Sequence, residues 1–168
     1  MTLRTVIDLI PNKSTRILDF AASTGLFGKL LHDNGYTNID AFDGSSVCME
    51  QARKRNVYKN FIVEFVSDAR LSIDDDSYDA LICYGGMAKN HLPISVFSEW
   101  IRCVKPGGYI INAFRMKWLK DAPTYSKGKL EAEIERLEKE KKWKFIRREM
   151  TNDEDPDKVV IKFAHQVC

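Results

Sequence analysis

The sequence predicts a doubly wound α/β domain with a mostly parallel, seven-stranded sheet that ends in a C-terminal antiparallel hairpin. Three observations predict it. Up to about residue 114, short β-rich apolar segments alternate with amphipathic helical ones over short connections, the order from which parallel βαβ units are built. Near the carboxyl end two strand segments are joined by a polar loop alone, and without a crossover helix such a pair can only be antiparallel. The chain has 168 residues, 44% of them hydrophobic and 30% charged, which suits one domain with a sizeable core.

Taken in order, Leu3, Val6, Ile7 and Ile10 share one helical face and stop at Pro11, predicting a short leading helix over about residues 2–10. Arg16 to Phe20 reads as a buried strand with the carboxylate of Asp19 near its end. The small-residue turn to Gly25 follows, and then a helix to about Asn34, with Leu26, Phe27, Leu30 and Leu31 on its apolar stripe and Gly35 as its left-handed stop. Ile39 to Asp43 is a second strand with a terminal carboxylate. A helix from about Ser46 carries Arg53, Lys54 and Arg55 at its end, where cations suit the helix dipole. Phe61 to Ser67 and Tyr78 to Tyr84 are β-rich. Pro93 suits a first helical turn, and the stripe Val96, Phe97, Trp100, Ile101, Val104 runs to Pro106-Gly107-Gly108. Tyr109 to Phe114 returns as a strand, and Lys129 to Lys142 is a charged helix with Leu130, Ile134 and Leu137 on its buried face. Trp143 to Met150 and Val159 to Phe163 make the hairpin around the loop Asn152 to Asp157.

A formal net charge of +2 gives no global electrostatic reason to expect nucleic acid or an anionic membrane as partner. Cys48, Cys83, Cys103 and Cys168 contain no C-x-x-C pair, so zinc ligation lacks support and reduced thiols in a cytoplasmic protein are expected. The consecutive acids Asp74, Asp75 and Asp76 read as a solvated loop, and no metal is expected. No signal-peptide core and no run of about 20 apolar residues occurs, so the expected location is cytoplasmic, away from membranes. Without repeats or linkers, residues 1–168 read as a single domain.

In a doubly wound sheet the ligand crevice lies at the carboxyl ends of the strands where strand order reverses. That rule points to residues 19–25, 43–46 and 84–91. The small residues between Asp19 and Gly25 let backbone pass close to a ligand, and the helix behind them offers unpaired N–H groups. Asp43, at the end of the second strand, stands where a carboxylate accepts both hydroxyls of a ribose. Asp19 directly before the turn is a poor neighbour for phosphates and a good one for a cation. This favours a positively charged, phosphate-free nucleoside ligand, with a nicotinamide-dependent oxidoreductase as the rival.

Four segments, ILDFAASTGLFGKLLHDNGY, AFDGSSVCMEQARKRNVY, SYDALICYGGM and VKPGGYIINAF, stand in one order and spacing. On these segments the chain, from about Ile17 to Met150, resembles the class I S-adenosylmethionine-dependent methyltransferases, most closely the Williams-Beuren-region methyltransferase-like proteins. The resemblance implies their Rossmann-like fold and S-adenosylmethionine as cofactor. It implies that the turn with Asp19, Ala21, Ser23 and Gly25 holds the methionine part, and that Asp43 binds the ribose diol. Gly44 and Ser45 would flank the adenine, Asp68 and Ala69 would meet its amino edge, and Tyr84 and Gly85 would line the floor between cofactor and acceptor. Where the family's central glycine stands, this chain has Ser23. The short leading helix takes the place of a longer lid in relatives, so the acceptor pocket is expected to be open or completed by another subunit, as in a homodimer.

Methyl transfer from a sulfonium needs alignment and desolvation, and a general base only if the nucleophile arrives protonated. His91 is the only histidine near the crevice and is the candidate base, while His32 and His165 read as structural. No (Asn/Asp)-Pro-Pro-(Tyr/Phe) run follows the fourth strand, which disfavours methylation of adenine amino groups. Trp118 and Tyr125 are either pocket walls or packing. The resulting reading is methyl transfer to a small-molecule acceptor. The alternatives are a cofactor-binding protein without transfer and an RNA methyltransferase using the basic run Arg53, Lys54, Arg55, Lys59.

Overall fold

A computed structural model describes residues 2–168. In chain order its elements are α1 (Thr2–Leu9), β1 (Ile17–Phe20), α2 (Leu26–Asp33), β2 (Ile39–Asp43), α3 (Ser46–Arg53), β3 (Phe61–Val63), β4 (Tyr78–Tyr84), α4 (Val96–Cys103), β5 (Val104–Arg115), α5 (Trp118–Asp121), α6 (Lys129–Lys139), β6 (Trp143–Met150) and β7 (Val160–Val167). One seven-stranded sheet has the order β3-β2-β1-β4-β5-β7-β6. The first five are parallel, while β7 runs antiparallel between β5 and β6. Strand order reverses between β1 and β4, so the crevice opens above Asp19, Asp43 and Tyr84.

Each face of the sheet has its own core. Leu18, Phe20, Leu81 and Cys83 point towards α4 and α6, where Phe97, Trp100, Leu130 and Trp143 are buried. Ile17, Ile39, Ile82 and Ile111 point to the other face, where Val6 of α1, Ile10 just after it, and Phe27 and Leu31 of α2 cover them. The helix α1 is also tied by polar groups. Tyr36 donates to the Ile10 carbonyl at 2.7 Å, Thr5 donates to Glu149 at 2.8 Å, and Glu149 pairs with the buried Lys162 at 2.5 Å.

Several boundaries differ from the expected ones, among them the end of α6 at Lys139 rather than Lys142. β3 stops at Val63 rather than Ser67, because this edge strand has one neighbour and the chain turns away to lay Phe65 over Gly44. β5 starts at Val104, pairs it with Tyr78, and bulges before Tyr109 meets Ala80. Gly107 within the bulge has φ +83°. β7 continues to Val167 because β5 and β6 hold it on both sides. Finally, α4 begins at Val96, and Pro93 leads into it through a tighter turn in which Val96 N–H donates to the Pro93 carbonyl at 3.3 Å.

His165 on β7 stacks on Trp143 with ring centroids 4.1 Å apart, and its buried Nε2 has no partner among the described residues. Burial pushes its pKa down to about 4. A base held neutral in this way contributes stability that is fully present above its unfolded value near 6.5 and is lost as pH falls towards 4. His165→Phe is therefore expected to lose less stability than the parent between pH 6.5 and 4.5, read as the difference in urea midpoint at the two pH values. An equal loss would place the acid-sensitive group elsewhere.

Candidate functional site

The turn after β1 is built from left-handed residues at alternate positions: Ala21 has φ 61°, Ser23 φ 50° and Gly25 φ 77°. Only the last is a glycine, and each of the others costs roughly 1–2 kcal/mol. The conformation turns successive N–H groups toward one side, the arrangement that cradles anionic or polar atoms. Small side chains are required because the loop after β4 lies against it. A Cβ on the buried Gly86 would come within 2.8 Å of the Ala21 Cβ. Gly25 is buried behind the turn, where a Cβ would meet Tyr58 at 3.0 Å and Ala52 at 3.1 Å.

Asp43 ends β2 with both oxygens engaged and both still able to accept. Its Oδ2 accepts the Ser23 N–H at 2.8 Å and its Oδ1 the Ser45 N–H at 2.8 Å. Since a carboxylate offers about four acceptor positions, it is oriented by the backbone and still free for two hydroxyls. Ser45 in turn caps α3 by accepting the Cys48 N–H at 3.2 Å.

Two hollows lie on either side of Ala21, which lines both. The first, about 400 Å³, is lined by Asp19, Ser23, Leu26, Phe27, Leu30 and Tyr84, with Thr2 and Leu3 of α1 on its rim. Tyr84 stacks on Phe27 at 5.0 Å between ring centroids. The second, about 340 Å³, is lined by Asp43, Gly44, Ser45, Phe65, Gly86 and the loop from Asn90 to Leu92. Among the described residues no lysine or arginine lines either hollow, whereas Asp19, Asp43 and Glu64 do. This charge pattern suits a cation bearing a diol and repels the pyrophosphate of a dinucleotide, so the residues fit a sulfonium nucleoside.

Asp19 is 1% exposed, and burial raises its pKa to about 7. The Tyr58 hydroxyl, donating at 2.6 Å, and a backbone bond at Gly28 work against that rise, while the charge on Asp43 adds to it. Tyr58 was invisible to local sequence reasoning, since it stands 39 residues from its partner. Gly28 reveals it only in three dimensions, because a Cβ there would lie 2.0 Å from the Tyr58 hydroxyl oxygen.

Of the other residues singled out from the sequence, His91 is exposed and lines the second hollow beside Asp43, not the first beside Tyr84. Gly85 has φ +82° and lines neither hollow, and Gly86 stands on the wall in its place. Asp68 and Ala69 are exposed beyond the second hollow, and Glu64, Phe65 and Val66 line that side instead. Tyr125 is wholly buried and donates to the Leu92 carbonyl, so it is packing that steadies the loop. Trp118 is half-buried against the core. The acidic run is partly neutralised, Asp75 pairing with Arg102 at 2.6 Å and with Arg70 at 2.8 Å. The basic run is not a free patch either: Arg53 lies over the Phe61 ring, and Arg55 donates to the Thr24 carbonyl at 2.6 Å.

No helix of the described residues is long and apolar enough to cross a membrane. Residues 17–108, more than half of the chain, match the family model described as a methyltransferase domain. Methyltransferase-like protein 27 of Homo sapiens is 28% identical over 133 residues, which are 79% of this chain and 53% of that protein. A demethylmenaquinone methyltransferase of Clavibacter sepedonicus is 38% identical over 103 residues, 60% of this chain and 41% of that protein. The chain thus spans about half the length of the curated relatives it matches. A solved SAM-dependent methyltransferase of Aquifex aeolicus shares the fold at a TM-score of 0.72 and 15% identity, over 99% of this chain and 89% of that one. The chain belongs to the methyltransferase-domain family with its class I fold, and S-adenosylmethionine is the cofactor that family and fold imply.

Proposed function

We propose that this chain transfers the methyl group of S-adenosylmethionine to a small, uncharged acceptor. The observation that carries the reading is the pair of hollows joined at Ala21, lined by carboxylates and, among the described residues, by no lysine or arginine. Bound there, the cofactor would supply an electrophilic methyl on a sulfonium, whose C–S bond breaks as the acceptor's lone pair attacks the carbon in line, with S-adenosylhomocysteine as the leaving group. Asp43 accepts the ribose hydroxyls, the N–H groups of the turn from Ala21 to Gly25 hold the amino-acid end, and Asp19 balances positive charge beneath it. The apolar wall of Leu26, Phe27, Leu30 and Tyr84 excludes water and packs against the acceptor. Because that wall bears no cation, a small molecule suits it better than a nucleic acid, whose phosphates need lysine or arginine. His91 lines the nucleoside hollow and not the first one, so the first hollow suits an acceptor whose nucleophilic atom already carries a free lone pair and needs no base.

Calorimetric titration with S-adenosylmethionine, S-adenosylhomocysteine and NADH tests the reading. The first two are expected to bind and NADH to give no heat. Binding of NADH alone would overturn it in favour of an oxidoreductase. Ser23 at φ 50° is the observation that favours the second reading, a cofactor-binding protein without transfer. Release of S-adenosylhomocysteine in the presence of a panel of small acceptors separates the two.

The same residue supports a further expectation. Ser23→Gly removes a hydroxymethyl group from the first hollow and relieves a left-handed residue. Binding of S-adenosylhomocysteine is expected to tighten several-fold with no loss of melting temperature, because glycine adopts this φ without strain and offsets its extra unfolded-state freedom. Equal or weaker binding would show that the site accommodates serine as it stands.

A further inference from the structure

We propose that Arg55 and Tyr58, which follow α3 outside both hollows, are positioning residues that brace the cofactor turn from behind and hold it bent without the usual glycines. The inference rests on the cofactor reading above. Ala21 and Ser23 lie in the left-handed region, and such residues persist only where their surroundings over-determine them. Four of the bonds that reach the turn and the strand end before it come from other elements. The Ala22 N–H donates to the Phe42 carbonyl of β2 at 3.0 Å. Asp43 takes the Ser23 N–H at 2.8 Å and itself belongs to the ligand site. The other two come from the segment behind: Arg55 Nε donates to the Thr24 carbonyl at 2.6 Å, and Tyr58 Oη donates to Asp19 at 2.6 Å. Neither side chain lines a hollow, so Arg55 acts on a ligand through the Thr24 backbone and Tyr58 through the Asp19 carboxylate, which does line the first hollow.

The brace is itself fixed. The N–H of Lys59 donates to the Ile39 carbonyl at 2.8 Å, joining the segment to β2. Tyr58 packs edge-on against Phe61 at 5.5 Å. The first turn of α2 is cut away to admit the phenol, since a Cβ on Gly28 would overlap its oxygen. Asp19, which the phenol orients, otherwise faces Asp43 from β2 and Cys83 from β4, with Arg55 beyond the phenol ring. Removing the hydroxyl takes away a donor that favours the carboxylate, so the carboxyl should titrate higher than its present value of about 7.

The test is a double-mutant comparison on the full chain with S-adenosylhomocysteine as probe. Tyr58→Phe and Arg55→Met are each expected to weaken binding roughly tenfold, the size of one lost hydrogen bond. In the Ala21→Gly/Ser23→Gly background, where the bend needs no brace, Arg55→Met is expected to cost roughly threefold or less, while Tyr58→Phe keeps the part of its cost that passes through the Asp19 carboxylate. The pH midpoint of binding should move upward in Tyr58→Phe in both backgrounds, because the glycines restore no donor to Asp19. A merely structural role would lower the melting temperature equally in both backgrounds and leave the dissociation constant and pH profile of the folded protein unchanged, which overturns the proposal. If Tyr58→Phe does not fold, Arg55→Met carries the same comparison. Failure of the parent to bind S-adenosylhomocysteine overturns the cofactor reading and this inference with it, whereas parent binding with unaltered variants overturns the brace alone.

Discussion

Asp43→Ala is expected to weaken S-adenosylhomocysteine binding by about a hundredfold or more. Two hydroxyl bonds to a carboxylate are each worth about 1.5–3 kcal/mol, and roughly 3 kcal/mol corresponds to a hundredfold. The substitution does further damage. The N–H groups of Ser23 and Ser45 lose the acceptor that fixes the turn and the entry to α3. Asp43→Asn separates the two effects, because its single amide oxygen satisfies one N–H and one hydroxyl. It should fall between parent and alanine variant in affinity while melting close to the parent. A folded alanine variant with an unaltered dissociation constant would show that the ribose is held elsewhere.

Asp19→Asn is expected to make the ligand-free protein more stable above pH 7 while impairing cofactor binding. The folded pKa of about 7 lies above the usual carboxyl value of 3.8. The stability contributed by the protonated acid is therefore fully present below about pH 3.8 and is lost as pH rises through 7. The difference corresponds to about 4 kcal/mol, as an order of magnitude. Asparagine stays neutral, and its oxygen still accepts from Tyr58. Urea unfolding of parent and variant at pH 5 and pH 8 should show the gap widening with pH. His165 titrates with the opposite slope, but it does so in both proteins and cancels in the comparison. A gap of constant size would mean that Asp19 does not change protonation over this range. The stability gained comes at the site where a cation is to be held, the usual relation between strain and function at an active site.

Most of the fold was legible because strand and helix signals in this chain are local and agree with one another. The stripe Leu26, Phe27, Leu30, Leu31 with Gly35 behind it located α2, observed over Leu26–Asp33. The polar loop without a helix specified the antiparallel pair β6 and β7. The boundaries that shifted were those decided by partners. Nothing local to Ser67 says that an edge strand has already ended at Val63, and nothing local to Phe163 says that two neighbours carry β7 to Val167.

For the site, the three strand ends that converge, and the acidic residues standing on two of them, were readable from the residues alone. Strand order in a doubly wound sheet follows from chain order and handedness, and it brings Asp19, Asp43 and Tyr84 to one crevice. Which neighbours complete the walls depended on packing across the fold. It set Gly86 rather than Gly85 against the turn, and Phe65 rather than Asp68 and Ala69 beside Gly44. It placed His91 and Asp43 on the walls of one hollow, and it set Arg55, from the basic run, against the Thr24 carbonyl and Tyr58 against Asp19. The reason is physical: φ at Ala21 and Ser23, and the protonation of Asp19, are set by groups roughly 20 to 40 residues away in sequence that packing brings within hydrogen-bond distance.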